Sequence, residues 1–525
     1  MKRIIRSAIA VTSAAAMLIG VTACGNTSST SADGPPTDGG TLKYAIAIQP
    51  PAGGIDPVIA SSIAGQHLMD QAYEPLLSKD EAGKIQPELA VSYSQEDETT
   101  YRFQLREGVK FADGSAFDAD DVVYSFEQYI KSTSGKAAYL PSLKSAKKLD
   151  EYSVELTLNQ ADSTFVNALA NRELFLMVSS DGYAKASKED REKRSYGTGP
   201  FVLTDWQDGV SMTFEKNDEY WAKDQPRLDG IEFRIIPDDS TRLAAVQQGS
   251  VDAASFTDGV TAKQAAFGNW KLGKTYSTQA LPIFINPTSG PLKDKKVRQA
   301  VSLTLNRDVL IKTAQYGDGE VSYAAPAGDP AAPAVTDRTP NYQRNLDEAK
   351  QLLQEAETPN PTIELSYFGD TSQSQHPIYE LMQQQLSDVG INVSLKAKST
   401  SELSPIFTSG QSFDDLVSLP WSYKPDPTFY YDSFLSENGA LNQWKGNPDA
   451  AKAMELLAAA KKETDEEKKA QLIQDLADNV AEEALVIVPM AVPSDFEVWN
   501  QDVLKDYSTD YSTSRIALRT AWMSQ

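Results

Sequence analysis

Three pairs of adjacent carboxylates have a residue type and spacing that could support hydrolysis: Asp120–Asp121, Asp238–Asp239 and Asp414–Asp415. Hydrolysis of a glycosidic bond needs two carboxyl groups at a set separation across a cleft, and a linear sequence does not give that separation. The first pair follows Asp118 at the start of a predicted helix, where acidic side chains stabilise the helix dipole. We therefore interpret Asp120 and Asp121 as part of a helix N-terminus and predict no catalytic residue among these acids.

Histidine and cysteine, which most metal sites and nucleophilic triads require, are almost missing from the sequence. The chain of 525 residues has two histidines, His67 and His376, and one cysteine, Cys24. A metal site or a Ser-His-Asp triad would need one of these histidines, and no local motif supports either site. A single cysteine also excludes disulfide scaffolds, cysteine-rich zinc modules and iron–sulfur clusters. We predict no metal, no cofactor and no enzymatic activity.

The composition indicates a large, acidic, globular protein. Lysine and arginine together number 49 against 73 aspartates and glutamates, so the formal net charge is -24. The negative electrostatic field of such a chain would oppose contacts with phosphate groups, which excludes nucleic acid as a partner. A hydrophobic fraction of 41% is ordinary for a folded chain. At roughly 100–200 residues per domain, the length predicts two to four structural lobes.

The N-terminus has the pattern of a secretory leader. Lys2, Arg3 and Arg6 precede an apolar run over residues 8–23, whose length fits a signal peptide better than a membrane span. The run ends in Val-Thr-Ala-Cys-Gly, which resembles the bacterial lipobox, in which the thiol is acylated and the peptide is cut before the cysteine. A buried hydrophobic cysteine is the alternative. We predict a lipoprotein signal peptide over 1–23, lipidation at Cys24, a flexible tether over 24–40, and a location at the outer face of the cytoplasmic membrane.

Strands and helices alternate along the rest of the chain. Alternating or continuous apolar residues predict strands over 41–48, 101–105 and 152–158. Capping residues and helical periodicity predict helices after Asp118 and Asn345, over 378–389, over 449–462, and over 465–483 with Thr464 as its cap. This mixed order predicts several packed α/β layers.

Two of these helical regions carry further predictions about burial. The helix after Asp118 has an apolar stripe predicted to face the core, formed by Val122, Val123, Phe126, Tyr129 and Ile130. The charge run Lys461–Lys469 is interpreted as a solvated linker and helix face.

At least six blocks of the sequence resemble one family, in that family's order. The blocks are 88–128, 197–201, 216–221, 228–252, 284–307 and 421–427, and matches run from about residue 41 to residue 525. The pattern is similar to that of the bacterial extracellular solute-binding proteins of the peptide/nickel class, which are the capture subunits of ABC importers. The resemblance implies a monomeric lipoprotein that delivers its ligand to a membrane permease and an ATPase.

The fold implied by the resemblance is α/β, of the two-lobed periplasmic-binding-protein type, in its large class with an extra N-terminal subdomain. Lobe one would comprise 41–280 and 488–525, with an inserted subdomain over about 61–193, and lobe two would comprise 285–485. Two crossing strands, Gln279–Pro287 and Val486–Pro493, would form the hinge.

The family places its ligand between the lobes, beside a loop that runs from a Trp to an Asp-Pro pair. Here Trp421, Ser422, Tyr423 and Lys424 begin that loop and are predicted to bind ligand, with a core aromatic as the alternative for Trp421. Peptide-binding relatives hold an acid a few positions after the Trp, where it pairs with the α-amine of the peptide, whereas this chain has Lys424. Asp426 is interpreted as the initiator of a turn.

Gln49, after the first strand, and Asn286, near the first crossing, are also predicted to contact ligand. Amides satisfied within their own loops are the alternative for both. We expect capture of a small extracellular solute by lobe closure, with an oligopeptide as ligand, or alternatively an oligosaccharide or another non-peptide molecule. A secreted hydrolase and a surface adhesin or chaperone are the alternatives from other classes.

Overall fold

The structure is a computed structural model of the chain. It describes residues 35–51, 53–60, 62–80, 84–132, 140, 142–172, 174–276, 279–280, 282–288, 290–314, 342–369, 376–419, 421–422, 426–437, 439–487, 494–508 and 516–524. The predicted signal peptide, Cys24 and residues 24–34 of the predicted tether lie outside these ranges. No helix within them combines the length and the apolar content that a membrane crossing requires.

A seven-stranded mixed sheet is assembled from two distant parts of the chain. In spatial order its strands are β12 (Trp270–Tyr276), β20 (Ser494–Asn500), β11 (Ala253–Phe256), β1 (Thr41–Ile46), β10 (Gly230–Ile235), β9 (Ser211–Lys216) and β8 (Phe201–Gln207). β1 pairs in parallel with β10 and β11, whereas β20 lies antiparallel between β11 and β12. β20, from the last part of the chain, is therefore an interior strand of a sheet that begins at residue 41.

A five-stranded mixed sheet contains residues that lie between β12 and β20 in the chain. Its spatial order is β16 (Asn392–Lys398), β15 (Thr362–Phe368), β17 (Leu416–Ser418), β14 (Ile283–Ile285) and β19 (Val486–Ile487). β15 pairs in parallel with β16 and β17, and β14 is antiparallel to β17 and β19. The three residues of β14 are all buried, which explains why this strand is a continuous apolar run.

A four-stranded antiparallel sheet forms from the early part of the chain. Its order is β4 (Ala90–Asp97), β5 (Thr100–Leu105), β7 (Ser153–Leu158) and β6 (Leu143–Asp150). Alternation along β5 buries Tyr101, Phe103 and Leu105, as the period-two pattern predicts. Three two-stranded ladders pair β2 (Leu77–Lys79) with β3 (Ile85–Pro87), β13 (Gln279–Ala280) with β18 (Trp421–Ser422), and β21 (Leu504–Lys505) with β22 (Trp522–Met523).

The α-helices of the described ranges cover the sheets. They are α1 (Ile63–Ala72), α2 (Ala119–Lys131), α3 (Phe165–Leu169), α4 (Gly182–Lys185), α5 (Lys188–Lys193), α6 (Asp239–Gln247), α7 (Gly259–Ala265), α8 (Lys295–Thr304), α9 (Arg307–Ala314), α10 (Leu346–Glu355), α11 (His376–Ser387), α12 (Thr400–Ser409), α13 (Thr428–Leu435), α14 (Ala451–Ala460) and α15 (Glu466–Glu482). The predicted caps Asp118 and Asn345 are confirmed, the first in a capping box with Asp121.

Several local predictions are wrong. β1 ends at Ile46, and Ile48 is 61% exposed. Ile130 is exposed because the polar Ser125 faces inward instead and exchanges hydrogen bonds with the backbone of Val178. The cap of α15 is Asp465, whose side chain accepts from the Lys468 amide, one residue after the predicted Thr464.

The chain passes twice between the seven-stranded and five-stranded sheets. The first passage leads from β12 to β14 and includes β13, and the second leads from β19 to β20. Residues 488–493 of the second passage lie outside the described ranges. Buried apolar side chains around the five-stranded sheet form a core distinct from the core shared by the other two large sheets.

Candidate ligand-binding site

The predicted ligand loop begins in a short ladder next to the first passage between the sheets. Trp421 pairs with Ala280 and Ser422 pairs with Gln279, antiparallel, so the backbone of the loop is fixed to the connecting segment. The side chains of Trp421 and Ser422, and all of Tyr423 and Lys424, lie outside the described part of the chain. The ladder therefore positions the start of the loop, while ligand contact by these four residues stays a prediction.

Asp426 fixes the other end of the loop. Its Oδ1 accepts hydrogen bonds from the Thr428 amide at 2.9 Å and from Thr428 Oγ1 at 2.6 Å, which confirms that it initiates a turn. Its Oδ2 accepts from Lys469 Nζ at 2.5 Å, and the Asp426 side chain is 3% exposed. Both carboxylate oxygens are thus engaged by groups of the protein.

Asn286, the residue after β14, has its side-chain amide engaged on both atoms. Nδ2 donates to the Phe413 carbonyl at 2.6 Å, and Oδ1 accepts from the Thr288 amide at 3.0 Å and from Thr288 Oγ1 at 2.6 Å. These bonds shape the chain as it leaves β14. Ligand contact by Asn286 stays a prediction, and it would require one of these bonds to be shared.

Gln49, which follows β1, has one described side-chain contact. Its Oε1 accepts from the Gly209 amide at 2.7 Å, in the turn between β8 and β9. Gly209 has a φ of 73°, a conformation that glycine adopts without strain, so the turn presents this amide to Gln49. Ligand contact by Gln49 likewise stays a prediction.

A buried charged cluster, unpredicted from the sequence, joins four segments that are distant in the chain. Arg172 donates from Nε to Asp70 Oδ1 at 2.8 Å and from Nη1 to Glu88 Oε1 at 2.9 Å. Arg519 Nη1 lies 2.5 Å from the same Glu88 oxygen and 3.6 Å from Glu74 Oε1. The cluster ties the C-terminal segment to the end of α1.

The pKa values of the two glutamates of this cluster, Glu74 and Glu88, shift in opposite directions. Burial, and secondly the nearby Glu88 carboxylate, raise the pKa of Glu74. Burial also acts to raise the pKa of Glu88, but Arg172 and Arg519 together outweigh it and hold that pKa well below its ordinary value. Tyr220, Trp221 and Thr198 each donate a hydrogen bond to Glu74. These ion pairs and hydrogen bonds are all made between groups of the protein, and we assign the cluster to stability.

The charge run Lys461–Lys469 does not form a uniformly solvated face, contrary to the prediction. Lys469 is buried, with 9% of the residue exposed, and Lys461 Nζ pairs with Asp432 at 2.8 Å. Lys468, by contrast, has a side chain that is 71% exposed. The helical period explains the difference, because consecutive residues of α15 point about 100° apart.

A cavity of about 350 Å³ opens between residues 160–162, which follow β7, and helices α13 and α14. Its lining combines apolar side chains, among them Leu435 and Leu457, with the charged Asp162 and Lys461. Neither Gln49 nor Asn286 lines it. Within the described ranges, no cluster of three or more side chains of the types that bind metals has a suitable geometry.

Residues 84–442 match the family model described as bacterial extracellular solute-binding proteins, family 5, middle. Glutathione-binding protein GsiB of Salmonella paratyphi A is 28% identical over 446 residues, which are 82% of this chain and 85% of that protein. Oligopeptide-binding protein AppA of Bacillus subtilis is 28% identical over 517 residues, 92% of each chain. These alignments extend over most of the sequence rather than over one motif.

Two solved structures share the fold. The structure of Bacillus subtilis AppA in complex with a nonapeptide is 24% identical to this chain, with a TM-score of 0.74. The match covers 94% of this chain and 100% of that one. The structure of NikA of Brucella suis in complex with Fe(III)-EDTA is 24% identical, with a TM-score of 0.78. That match covers 92% of this chain and 100% of NikA. The predicted α/β periplasmic-binding-protein fold is confirmed.

The family match covers more than half of the chain and confirms the resemblance that the sequence blocks indicated. The relatives are solute-binding proteins and not enzymes, which confirms the prediction of no enzymatic activity. The chain belongs to the bacterial extracellular solute-binding proteins of family 5, the peptide/nickel class of ABC importer substrate-binding proteins.

Proposed function

We propose that the protein captures an oligopeptide outside the cell and delivers it to the permease and ATPase of an ABC importer. The observation that carries this proposal is the alignment with oligopeptide-binding protein AppA, which extends over 92% of both chains. The alignment extends over most of both chains, so the likeness is not confined to one motif.

The mechanism is closure of two lobes around the ligand. Lobe one, 41–280 with 488–525, contains the seven-stranded sheet and the inserted subdomain over about 61–193. Lobe two, 285–485, contains β15, β16 and β17 of the five-stranded sheet, whose strands β14 and β19 lie at the two ends of that range. The two passages between the sheets are the hinge, since a few residues at element ends can absorb the rotation. Ligand stabilises the closed state because it contacts both lobes only there.

One wall of the cleft is the loop of Trp421, Ser422, Tyr423 and Lys424, and Gln49 and Asn286 belong to its surroundings. The ladder between β13 and β18 supports this assignment, because it holds the loop against a hinge passage. A stacked aromatic ring supplies apolar contact to any ligand, and a lysine ammonium supplies a partner for a carboxylate.

A non-peptide ligand is the second candidate, and two observations favour it. Lys424 stands where peptide-binding relatives hold the acid for the α-amine, and both oxygens of Asp426 are engaged by Thr428 and Lys469. The same fold in NikA holds Fe(III)-EDTA. An oligosaccharide or another non-peptide solute would fit a cleft with this wall.

The protein is held at the outer face of the cytoplasmic membrane by lipid on Cys24. The basic and apolar pattern of residues 1–23 and the single cysteine that follows support this anchor. Cys24→Ser should leave the precursor uncleaved or unacylated. A mutant that is still processed after Ala23 and still partitions into detergent would overturn the anchor without affecting the proposed transport role.

A thermal-shift screen of di- to hexapeptides, glutathione and oligosaccharides tests the ligand class. A ligand at a hundredfold excess over its Kd stabilises the folded state by about 2.7 kcal/mol, which raises the melting temperature measurably. We expect peptides to give the shift. A shift with oligosaccharides and none with peptides would replace the peptide by the second candidate.

A further inference from the structure

The two most exposed large apolar residues of the described ranges lie at one end of the seven-stranded sheet. Ile48, two positions after the end of β1, is 61% exposed, and Val210, in the turn between β8 and β9, is 57% exposed. The Ile235 amide of β10 donates to the Val210 carbonyl at 2.9 Å, and the Ile236 amide donates to the Ile46 carbonyl at 2.9 Å. Val210 and the end of β1 therefore flank the same end of β10.

The side chain of Gln49 fixes these two segments to each other. Its Oε1 accepts from the Gly209 amide at 2.7 Å, so the residue after Ile48 is bound to the residue before Val210. The bond spans the end of β10, which lies between β1 and β9 in the sheet. Ile48 and Val210 thus belong to one surface and are not two scattered exposed residues.

This end of the sheet adjoins both passages to the five-stranded sheet. β12 runs in the direction of β1, because β20 is antiparallel to both β11 and β12 while β11 is parallel to β1. The last residue of β12, Tyr276, and the first residue of β20, Ser494, therefore lie at the end where β1 finishes. In the proposed mechanism this end of lobe one borders the cleft. Ligands of open α/β sheets bind outside the carboxyl ends of the parallel strands, which is where Ile48 follows β1.

Two carboxylates at the same end of the sheet are engaged by helix caps. Asp238 follows β10, and its Oδ1 accepts from the Thr241 amide and from Thr241 Oγ1, each at 2.8 Å. Asp258 follows β11 and accepts from the Thr261 amide at 2.8 Å. These acids already have partners in the protein, whereas the exposed apolar surface gains when a ligand removes it from water.

We propose that Ile48 and Val210 form an apolar subsite on the lobe-one side of the cleft, which selects solutes with an apolar side chain, such as that of leucine. The proposal names the ligand chemistry of the proposed function and rests on it. Its occupant is the captured solute, because the surface lies at the end of the sheet that leads to lobe two. A surface for docking the permease is the other candidate occupant, and it is one of the outcomes of the test.

The test compares two peptides of equal length and equal terminal charges, Ala-Leu-Leu-Ala and Ala-Ser-Ser-Ala, by calorimetry. The test variant combines Ile48→Ser with Val210→Ser, and the melting temperature without peptide checks that it folds. Phe267→Ser is the matched control. Phe267 is 44% exposed, and its carbonyl accepts from the Trp270 amide just before β12, so it lies at the opposite end of the same sheet.

We expect the parent to bind the leucine peptide more tightly than the serine peptide. The double variant should lose about tenfold or more in Kd for the leucine peptide, because two apolar contacts are removed, and should keep the parent Kd for the serine peptide. Phe267→Ser should keep both values.

An unchanged Kd of the double variant for the leucine peptide would overturn the inference and leave the permease as the occupant. An equal loss with both peptides would overturn it too, since the two residues would then shape the wall without selecting an apolar group. Peptides that give a thermal shift without any preference for leucine would contradict the inference alone. The absence of a shift with every peptide would contradict the proposed peptide ligand and the inference with it.

Discussion

Arg172 Nη1 and Glu88 Oε1 form an ion pair at 2.9 Å in which the side chains are 6% and 3% exposed. Arg172 also holds Asp70, while Glu88 also receives Arg519 from the C-terminal segment. The pair therefore connects the end of α1, the approach to β4 and the last residues of the chain. Because both side chains are buried, removal of either partner should lower the free energy of unfolding.

Arg172→Met should destabilise the protein strongly, since it leaves Asp70 without this partner and Glu88 with Arg519 alone. Breaking a buried pair by removing one partner costs about 3–5 kcal/mol. Urea unfolding at pH 7 measures the loss. Arg102→Met is the control, because its pairs with Glu96 and Glu155 are exposed and are worth about 0–1 kcal/mol. Equal effects of the two variants would contradict the assignment of the cluster to stability.

Glu88→Gln should reduce the stability that the protein loses between neutral and acid pH. The pKa of Glu88 is lower in the folded state than its ordinary 4.5, because Arg172 and Arg519 outweigh burial. Its contribution is therefore present above about pH 4.5 and is lost as pH falls towards the folded-state pKa. Unfolding free energies at pH 7 and pH 3 should differ less in Glu88→Gln than in the parent. Glu107→Gln, at an exposed position, is the control and should leave that difference unchanged. If Glu88→Gln also leaves the difference unchanged, the electrostatic account is contradicted.

Acetylation of the N-terminus of a bound peptide should cost less than about tenfold in Kd. Asp426 is the one acidic residue in the sequence of the loop over 421–427, and Thr428 and Lys469 engage both of its oxygens, so the loop offers no spare carboxylate to an α-amine. Calorimetry with a peptide and its acetylated twin measures the difference. A loss of more than about a hundredfold, the scale of a broken buried charge pair, would show that an acid elsewhere in the cleft binds the amine.

Local signals predicted much of the fold. Asp118 and Asn345 cap their helices as predicted because a cap depends on residues within three or four positions. The predicted cap of α15 is one residue too early, because Thr464 and Asp465 are both favourable cap residues and the sequence alone does not separate them. The fold class followed from the order of the family blocks, whereas the domain boundaries stay a prediction.

The contacts that organise the site could not be predicted from the sequence. Lys469 and Asp426 are 43 residues apart, and Arg519 and Glu88 are 431 apart. In a chain with 73 acidic and 49 basic residues, nothing local distinguishes a buried charge from a solvated one. The charge run of Lys461–Lys469 therefore suggested a solvated face, although the helical period turns Lys469 inward.

Small-angle X-ray scattering tests the central claim, capture of a solute by closure of two lobes, most directly. The radius of gyration is compared with and without a saturating peptide found by the thermal-shift screen. Closure predicts a smaller radius with the peptide bound, because the seven-stranded and five-stranded sheets approach each other around the ligand. An unchanged radius at confirmed saturation would contradict the account and would place the ligand on a surface rather than in a closing cleft.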